Sequence, residues 1–203
     1  SLSYNKKENI NKNKKLQNLL KPNQIKEDKD SLKKWGSDWT SNYEINPSLI
    51  VFPEENSQVV EIVRYAIKNN LKLVPSGGRT GLSGGAVASN REVVVSFDRM
   101  NKILDFCEKD KIVKSQSGLT TKDLQDFAKS NNLFYPVDFS SSGSSQIGGN
   151  IATNAGGIRV IRYGNTRNWV SGLKVVTGEG RLLDLNSGLI KNATGYDLRH
   201  LMI

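Results

Sequence analysis

In the stretch VPSGGRTGLSGGAV, residues 74–87, five glycines fall between Gly77 and Gly85, directly after an apolar run. A glycine fixed in a folded backbone costs about 0.5–1 kcal/mol against alanine. Five together are a liability of a few kcal/mol, more than an ordinary hairpin turn requires. An anion cradle does require them. Successive backbone N–H groups close on a phosphate only where no Cβ stands in the way, and glycine reaches positive φ without steric cost. Hydrogen bonds to a charged group are worth about 1.5–3 kcal/mol each, so three or four offset the liability. Thr80 and Ser83 add hydroxyl donors, and Arg79 adds a positive charge.

Two common nucleotide cradles are excluded. The loop lacks G-x-x-x-x-G-K-[ST], so it has no P-loop lysine, and it lacks G-x-G-x-x-G opening a helix. The strand pattern REVVVSF follows it. The pentapeptide GLSGG, 81–85, matches the G-x-S-x-G elbow of serine hydrolases, which needs a helix straight after the serine and an acid and a histidine later. Here a strand follows and the single histidine is His200, so the match reads as chance. His200 itself reads as a packed or surface side chain.

A second stretch, PVDFSSSGSSQIGGNIATNAGG at 136–157, repeats the solution. From Gly143 onward it offers small residues, hydroxyls and amides and no titratable group. That suits hydrogen bonding to a large polar ligand and is poor material for acid–base catalysis. A plain Ser/Gly linker would not carry Ile147, Ile151 and Ala152 at regular intervals. The two stretches are read as holding one extended ligand from both sides.

The elements that must position these loops are legible around them. LIVF at 49–52, stopped by Pro53, reads as a strand. NSQVVEIVRYAIKNN reads as an amphipathic helix with Ser57 as its N-cap. LKLVP reads as a buried strand that delivers the chain into the first loop, and EVVVSF (92–97) and KIVKSQSG (111–118) as further strands. TTKDLQDFAKSNN reads as a helix with Thr120 and Asp123 in capping-box spacing and with Leu124, Phe127 and Ala128 inward. LKVVTGEGRLLDL is a hairpin turning at Gly178–Gly180. Residues 16–20 and 31–35 support short helical turns, and Trp35 and Trp39 read as core or lid packing. The order suits α+β better than a regular βαβ alternation.

The 203 residues suffice for one full domain or two small subdomains. No stretch approaches the roughly 20 apolar residues that span a membrane, and the polar N-terminus carries no apolar signal segment. The one cysteine, Cys107, excludes an intrachain disulfide framework and a cysteine-based zinc cluster, which makes a reducing, cytoplasmic setting the default. Residues 1–34 hold ten lysines against four acids, a net of +6 out of the chain's +9. The excess thus belongs to a Lys/Asn-rich leader, read as a basic, partly disordered or helical extension ahead of a domain spanning 35–203. Lacking arginine and interleaved aromatics, the leader does not read as a nucleic-acid arm.

The sequences PSGGRTGLSGG, PVDFSSSGSSQIGGNIATNAGGIRVIRYGNTRNWVSGLKVV and NATGYDLRHLMI, in that order, resemble the FAD-binding domain of the vanillyl-alcohol-oxidase (PCMH) type flavoproteins. Within that superfamily they are most similar to the FAD-linked D-2-hydroxy-acid dehydrogenases: D-lactate dehydrogenase, the glycolate oxidase D subunit and D-2-hydroxyglutarate dehydrogenase. The alkyl-dihydroxyacetone-phosphate synthase branch shares the first loop, but IGGNIATNAGGIRVIRYGNTR resembles the dehydrogenases better. The resemblance covers about residues 35–203. It implies two small α/β subdomains clasping the cofactor, with the pyrophosphate wrapped by Pro75, Ser76, Gly77, Gly78, Arg79, Thr80, Gly81, Ser83 and Gly84. It implies that Pro136, Asp138, Gly143, Ser144, Ser145, Gly148, Gly149, Asn150, Ala152 and Thr153 line the isoalloxazine, ribityl chain and phosphates. Arg162 and Tyr163 approach the flavin edge or form a structural loop.

Some relatives link the flavin covalently through a histidine in the first loop. This loop has none, and Cys107 lies outside both motifs, so non-covalent FAD is expected. The implied reaction is oxidation of a D-2-hydroxy acid to the 2-oxo acid by hydride transfer to flavin N5, with a quinone, cytochrome or electron-transfer flavoprotein as acceptor. The family's substrate domain, with its metal-binding residues and carboxylate-holding arginine, would follow Ile203, so this piece alone is expected to be inactive. Peripheral membrane association stays open, and no nucleic-acid partner is expected. The alternative is a non-catalytic flavin- or nucleotide-binding module whose basic leader docks on an acidic partner.

Overall fold

Leu49–Val51 and Val93–Ser96 are buried at every position, as strands are when both faces of a sheet are covered. In the computed structural model, which describes residues 15–37, 44–80, 87–137, 141–153 and 169–186, they are the two central strands of a four-stranded sheet. The chain divides into two compact units, residues 1–99 with 176–182 and residues 100–175 with 183–203.

In the first unit, β1 (Ile25–Lys26) and helix α1 (Lys29–Trp35) precede β2 (Leu49–Val51), helix α2 (Asn56–Asn69), β3 (Leu73–Ser76) and β4 (Val93–Ser96). The strand order is β1-β2-β4-β3. β1 runs antiparallel to β2, whereas β2, β4 and β3 are mutually parallel neighbours. Alternation sorts the side chains between two faces. Leu49, Val51, Val93 and Val95 pack with Ile62 of α2 and with Leu16 and Leu20. Ile50, Phe52 and Val94 pack with Trp35 and Ala88. The described end of the lysine-rich leader is therefore built into the core.

Three details depart from the sequence reading. The N-cap of α2 is Glu55, with no side-chain cap bond. Its carbonyl accepts from the amides of Gln58 and Val59, so the helix begins two residues earlier than a Ser57 cap would allow. β3 is an edge strand whose exposed Pro75 has no N–H to donate, which is where a sheet tolerates proline. The short strand β1 went unread because two residues carry no periodicity.

In the second unit, β5 (Ile103–Cys107) and β6 (Ile112–Ser115) form an antiparallel hairpin. Helix α3 (Thr121–Ser130) follows, with the Thr120 hydroxyl accepting from the Asp123 amide at 3.1 Å. Phe106 meets Phe127 edge-to-face at 5.3 Å, tying hairpin to helix. Helix α4 (Ile147–Ala152) lies inside the second small-residue stretch. β7 (Gly172–Val176) and β8 (Leu182–Asn186) form the expected hairpin, turned by Gly180 at φ 76°. Residues at its tip belong to the first unit.

Candidate functional site

Three parallel strands end at the same edge of the first unit's sheet, and each releases a short segment there. Phe52–Glu54 follows β2, Phe97–Arg99 follows β4, and the first glycine loop follows β3. The carboxyl edge is where open parallel sheets hold ligands.

Ser76, the last residue of β3, is fully buried. Its carbonyl accepts from the Phe97 amide at 3.2 Å. Its hydroxyl has no hydrogen-bond partner among the described residues. A buried hydroxyl left unpaired costs about 1–3 kcal/mol. An orphan donor where a glycine loop leaves the sheet fits a ligand rich in acceptor oxygens.

Arg79 sits in the left-handed region at φ 59°, so among the described loop residues positive φ falls on an arginine where glycine was expected to supply it. A non-glycine residue there costs about 1–2 kcal/mol, and the side chain is anchored accordingly. Arg79 Nη1 donates to the Gly77 carbonyl at 3.2 Å and lies 3.5 Å from Asp98 Oδ1. The guanidinium also stands over the Trp35 ring, 5.5 Å from its centroid. Gly77, Gly78 and Thr80 complete the described loop and are half-buried. Gly81, Ser83 and Gly84 lie outside the described residues.

The second stretch is stitched to residues 117–122 of its own unit. The amides of Thr121, Ile147 and Gly148 donate to the carbonyls of Ser145, Leu119 and Ser117 at 2.8–2.9 Å. Thr121 Oγ1 is the buried hub: it accepts from Asn150 Nδ2 at 2.8 Å and lies 2.9 Å from Ser145 Oγ. The side chains of Ser145 and Asn150 are thus engaged within the protein, leaving backbone groups for a ligand. Gly148 is held against Ser117, whereas Gly143 and Gly149 face open space. Ser144, Ala152 and Thr153 are exposed, and Pro136 is buried. Asp138 lies outside the described residues, as do Trp39, Arg162, Tyr163 and His200.

Sequence reasoning missed Asp98 and Thr121. Asp98 looks like an ordinary turn acid after a strand, and Thr121 like the second residue of a cap. Neither has a spacing signal, because each acts on residues far away in sequence. Burial pushes the Tyr135 hydroxyl, next to Pro136, up to about 12. Among the described residues no group of three His, Cys, Asp or Glu could hold a metal ion, and no helix is long and apolar enough to cross a membrane.

The family model described as "FAD binding domain" matches residues 47–186. The chain is 61% identical over 188 residues to D-2-hydroxyglutarate dehydrogenase of Stutzerimonas stutzeri, covering 93% of this chain and 40% of that protein. It is 40% identical over 185 residues to the mitochondrial D-2-hydroxyglutarate dehydrogenase of Arabidopsis thaliana, covering 91% and 33%. The chain thus spans about two fifths or less of the length of these curated relatives. Among solved structures, alkyldihydroxyacetonephosphate synthase superposes with a TM-score of 0.83 at 23% identity, covering 95% of this chain and 40% of that one. The 4-ethylphenol oxidase of Gulosibacter chungangensis superposes with a TM-score of 0.78 at 18% identity, covering 97% and 40%. At such identities the likeness is one of fold, an α+β architecture, and the FAD-binding assignment rests on the family model.

Proposed function

Because the chain belongs to the FAD-binding domain family, we propose that it is the cofactor-binding part of a flavin-dependent oxidoreductase acting on a D-2-hydroxy acid, with D-2-hydroxyglutarate the first candidate. The observation that carries the reading is the orphan hydroxyl of Ser76 at the carboxyl edge of the parallel strands. In this reading Ser76 and the backbone amides of Gly77, Gly78, Arg79 and Thr80 hold the pyrophosphate. The charge of Arg79 is balanced by Asp98, so its part is to fix the loop and leave the amides as principal donors. The backbone of residues 143–153 orients the rest of the cofactor. With no titratable side chain among them, these residues add no proton donor or acceptor of their own.

Bound FAD supplies the two-electron acceptor for the hydride that leaves the hydroxy acid's carbon. Groups that hold the substrate carboxylates and take the hydroxyl proton are assigned to the remaining length of the relatives. The flavin is held without a covalent bond, since the described part of the first loop carries no histidine or cysteine. Lactate and glycolate are the alternative substrates, and a quinone, cytochrome or electron-transfer flavoprotein is the acceptor class.

The test is to incubate the chain with FAD, desalt it and record the visible spectrum, then precipitate the protein with acid. Retained flavin that moves to the supernatant supports the reading. Ser76→Ala should weaken retention about tenfold, the value of one hydrogen bond to a charged group. No retained flavin, or flavin that stays with the pellet, overturns the cofactor or its mode of attachment.

A further inference from the structure

We propose that Trp35, which lies ahead of the region matched by the family model, is a positioning residue for the first glycine loop and acts through Asp98 on Arg79. The proposal rests on the FAD reading for its consequence and on geometry for its existence. Trp35 is the last residue of α1, and its indole Nε1 donates to Asp98 Oδ2 at 2.9 Å. The other oxygen of that carboxylate, Oδ1, faces Arg79 Nη1 at 3.5 Å. The same indole carries the Arg79 guanidinium on its face. One side chain therefore touches both members of the ion pair that anchors the loop's left-handed residue.

The indole is itself held firmly enough to pass on position. It is 8% exposed and packs edge-to-face on Phe52, ring centroids 5.2 Å apart. The chain just past it is locked. The Gly36 amide donates to the Leu32 carbonyl, and the Gly36 carbonyl accepts from the Ala88 amide at 2.9 Å. A Cβ on Gly36 would come within 2.6 Å of the Leu32 carbonyl oxygen and 2.8 Å of Pro47. The start of α1 is fixed by Asp28, whose carboxylate accepts from the Ser31 amide at 2.9 Å. Phenylalanine at position 35 would fill most of the same space and keep the contact with Phe52. Only an indole supplies the N–H, so packing alone does not explain the residue.

The loop provides its own reporter, because trypsin cuts after arginine. In the full 203-residue chain without cofactor, Trp35→Phe should raise cleavage at Arg79–Thr80 about tenfold, the loss of one charged hydrogen bond. Cleavage after Arg91 should stay unchanged. Asp98→Asn, which keeps an acceptor for the indole and removes the ion pair, should do the same and guards against a folding defect in the first variant. With FAD added, Trp35→Phe should weaken binding about tenfold in the wild-type background and not further in Arg79→Met. Unchanged cleavage at Arg79 in both variants, or binding losses that multiply in the double variant, would overturn the proposal. Should the wild-type chain bind no FAD, the functional reading falls and the cleavage result alone decides the relay.

Discussion

A Cβ placed on Gly148 would stand 2.7 Å from Ser117 Cβ and 3.1 Å from its carbonyl oxygen, while one placed on Gly149 would meet nothing within 4 Å. The two neighbours are glycines for different reasons, and substitution should separate them. Gly148→Ala must push backbone against backbone and should cost about 1–3 kcal/mol in urea unfolding. Gly149→Ala should raise the stability of the cofactor-free chain by about 0.5–1 kcal/mol, since alanine is the better helix former. If FAD approaches that open face, the same variant binds FAD more weakly; unchanged affinity would remove Gly149 from the cofactor site. Tyr135 gives a pH test. Burial raises its folded value from 10.0 to about 12, so the folded state holds a proton that the unfolded chain releases. The stabilisation is complete below pH 10 and is lost as pH rises toward 12, by up to about 2–3 kcal/mol. Tyr135→Phe should remove that part of the alkaline slope in unfolding measurements.

Among the elements, those with strong patterns were legible and those made by distant partners were not. The α2 and α3 helices announce themselves by apolar spacing, and β2 and β4 by short runs rich in apolar, mostly β-branched residues. β5 did not, because its alternation is broken by a register shift between Ile103 and Asp105 and most of its residues are exposed. The leader was read by its charge, yet what fixes it is uncharged. Gln24 is fully buried, and its Nε2 donates to the Phe52 carbonyl and to Gln58 Oε1, both at 3.0 Å. Its Oε1 accepts from the Lys21 amide, and the Phe52 amide donates to its carbonyl at 2.8 Å. Gln24→Ala would strand several of these groups and leave a void, so a loss of about 2–4 kcal/mol is expected in urea unfolding. A value below about 1 kcal/mol would mean that the leader is not anchored this way. The sequence marks the glycine loops as candidate ligand-holding backbone, but not which residue takes the left-handed position. That depends on Asp98 and Trp35, far from Arg79 in sequence.

At the scale of the whole molecule, the chain combines two separately packed units with about two fifths of its relatives' length. The functional reading assigns cofactor-holding backbone to each unit, residues 76–80 in one and 143–153 in the other. Hydrogen exchange can read both at once. FAD should slow exchange of amides in both segments, and at a hundredfold excess over Kd the gain is about 2.7 kcal/mol for openings that release the ligand. Protection confined to one segment would assign the cofactor to that unit alone. Binding and chemistry should then separate. The groups that hold the substrate carboxylates and take its hydroxyl proton are assigned above to the remaining length of the relatives, so anaerobic D-2-hydroxyglutarate added to the FAD-loaded chain should leave the flavin absorbance unbleached. Bleaching would mean that groups within these 203 residues suffice to orient the hydroxy acid and accept its proton, and the division of labour proposed above would have to be redrawn.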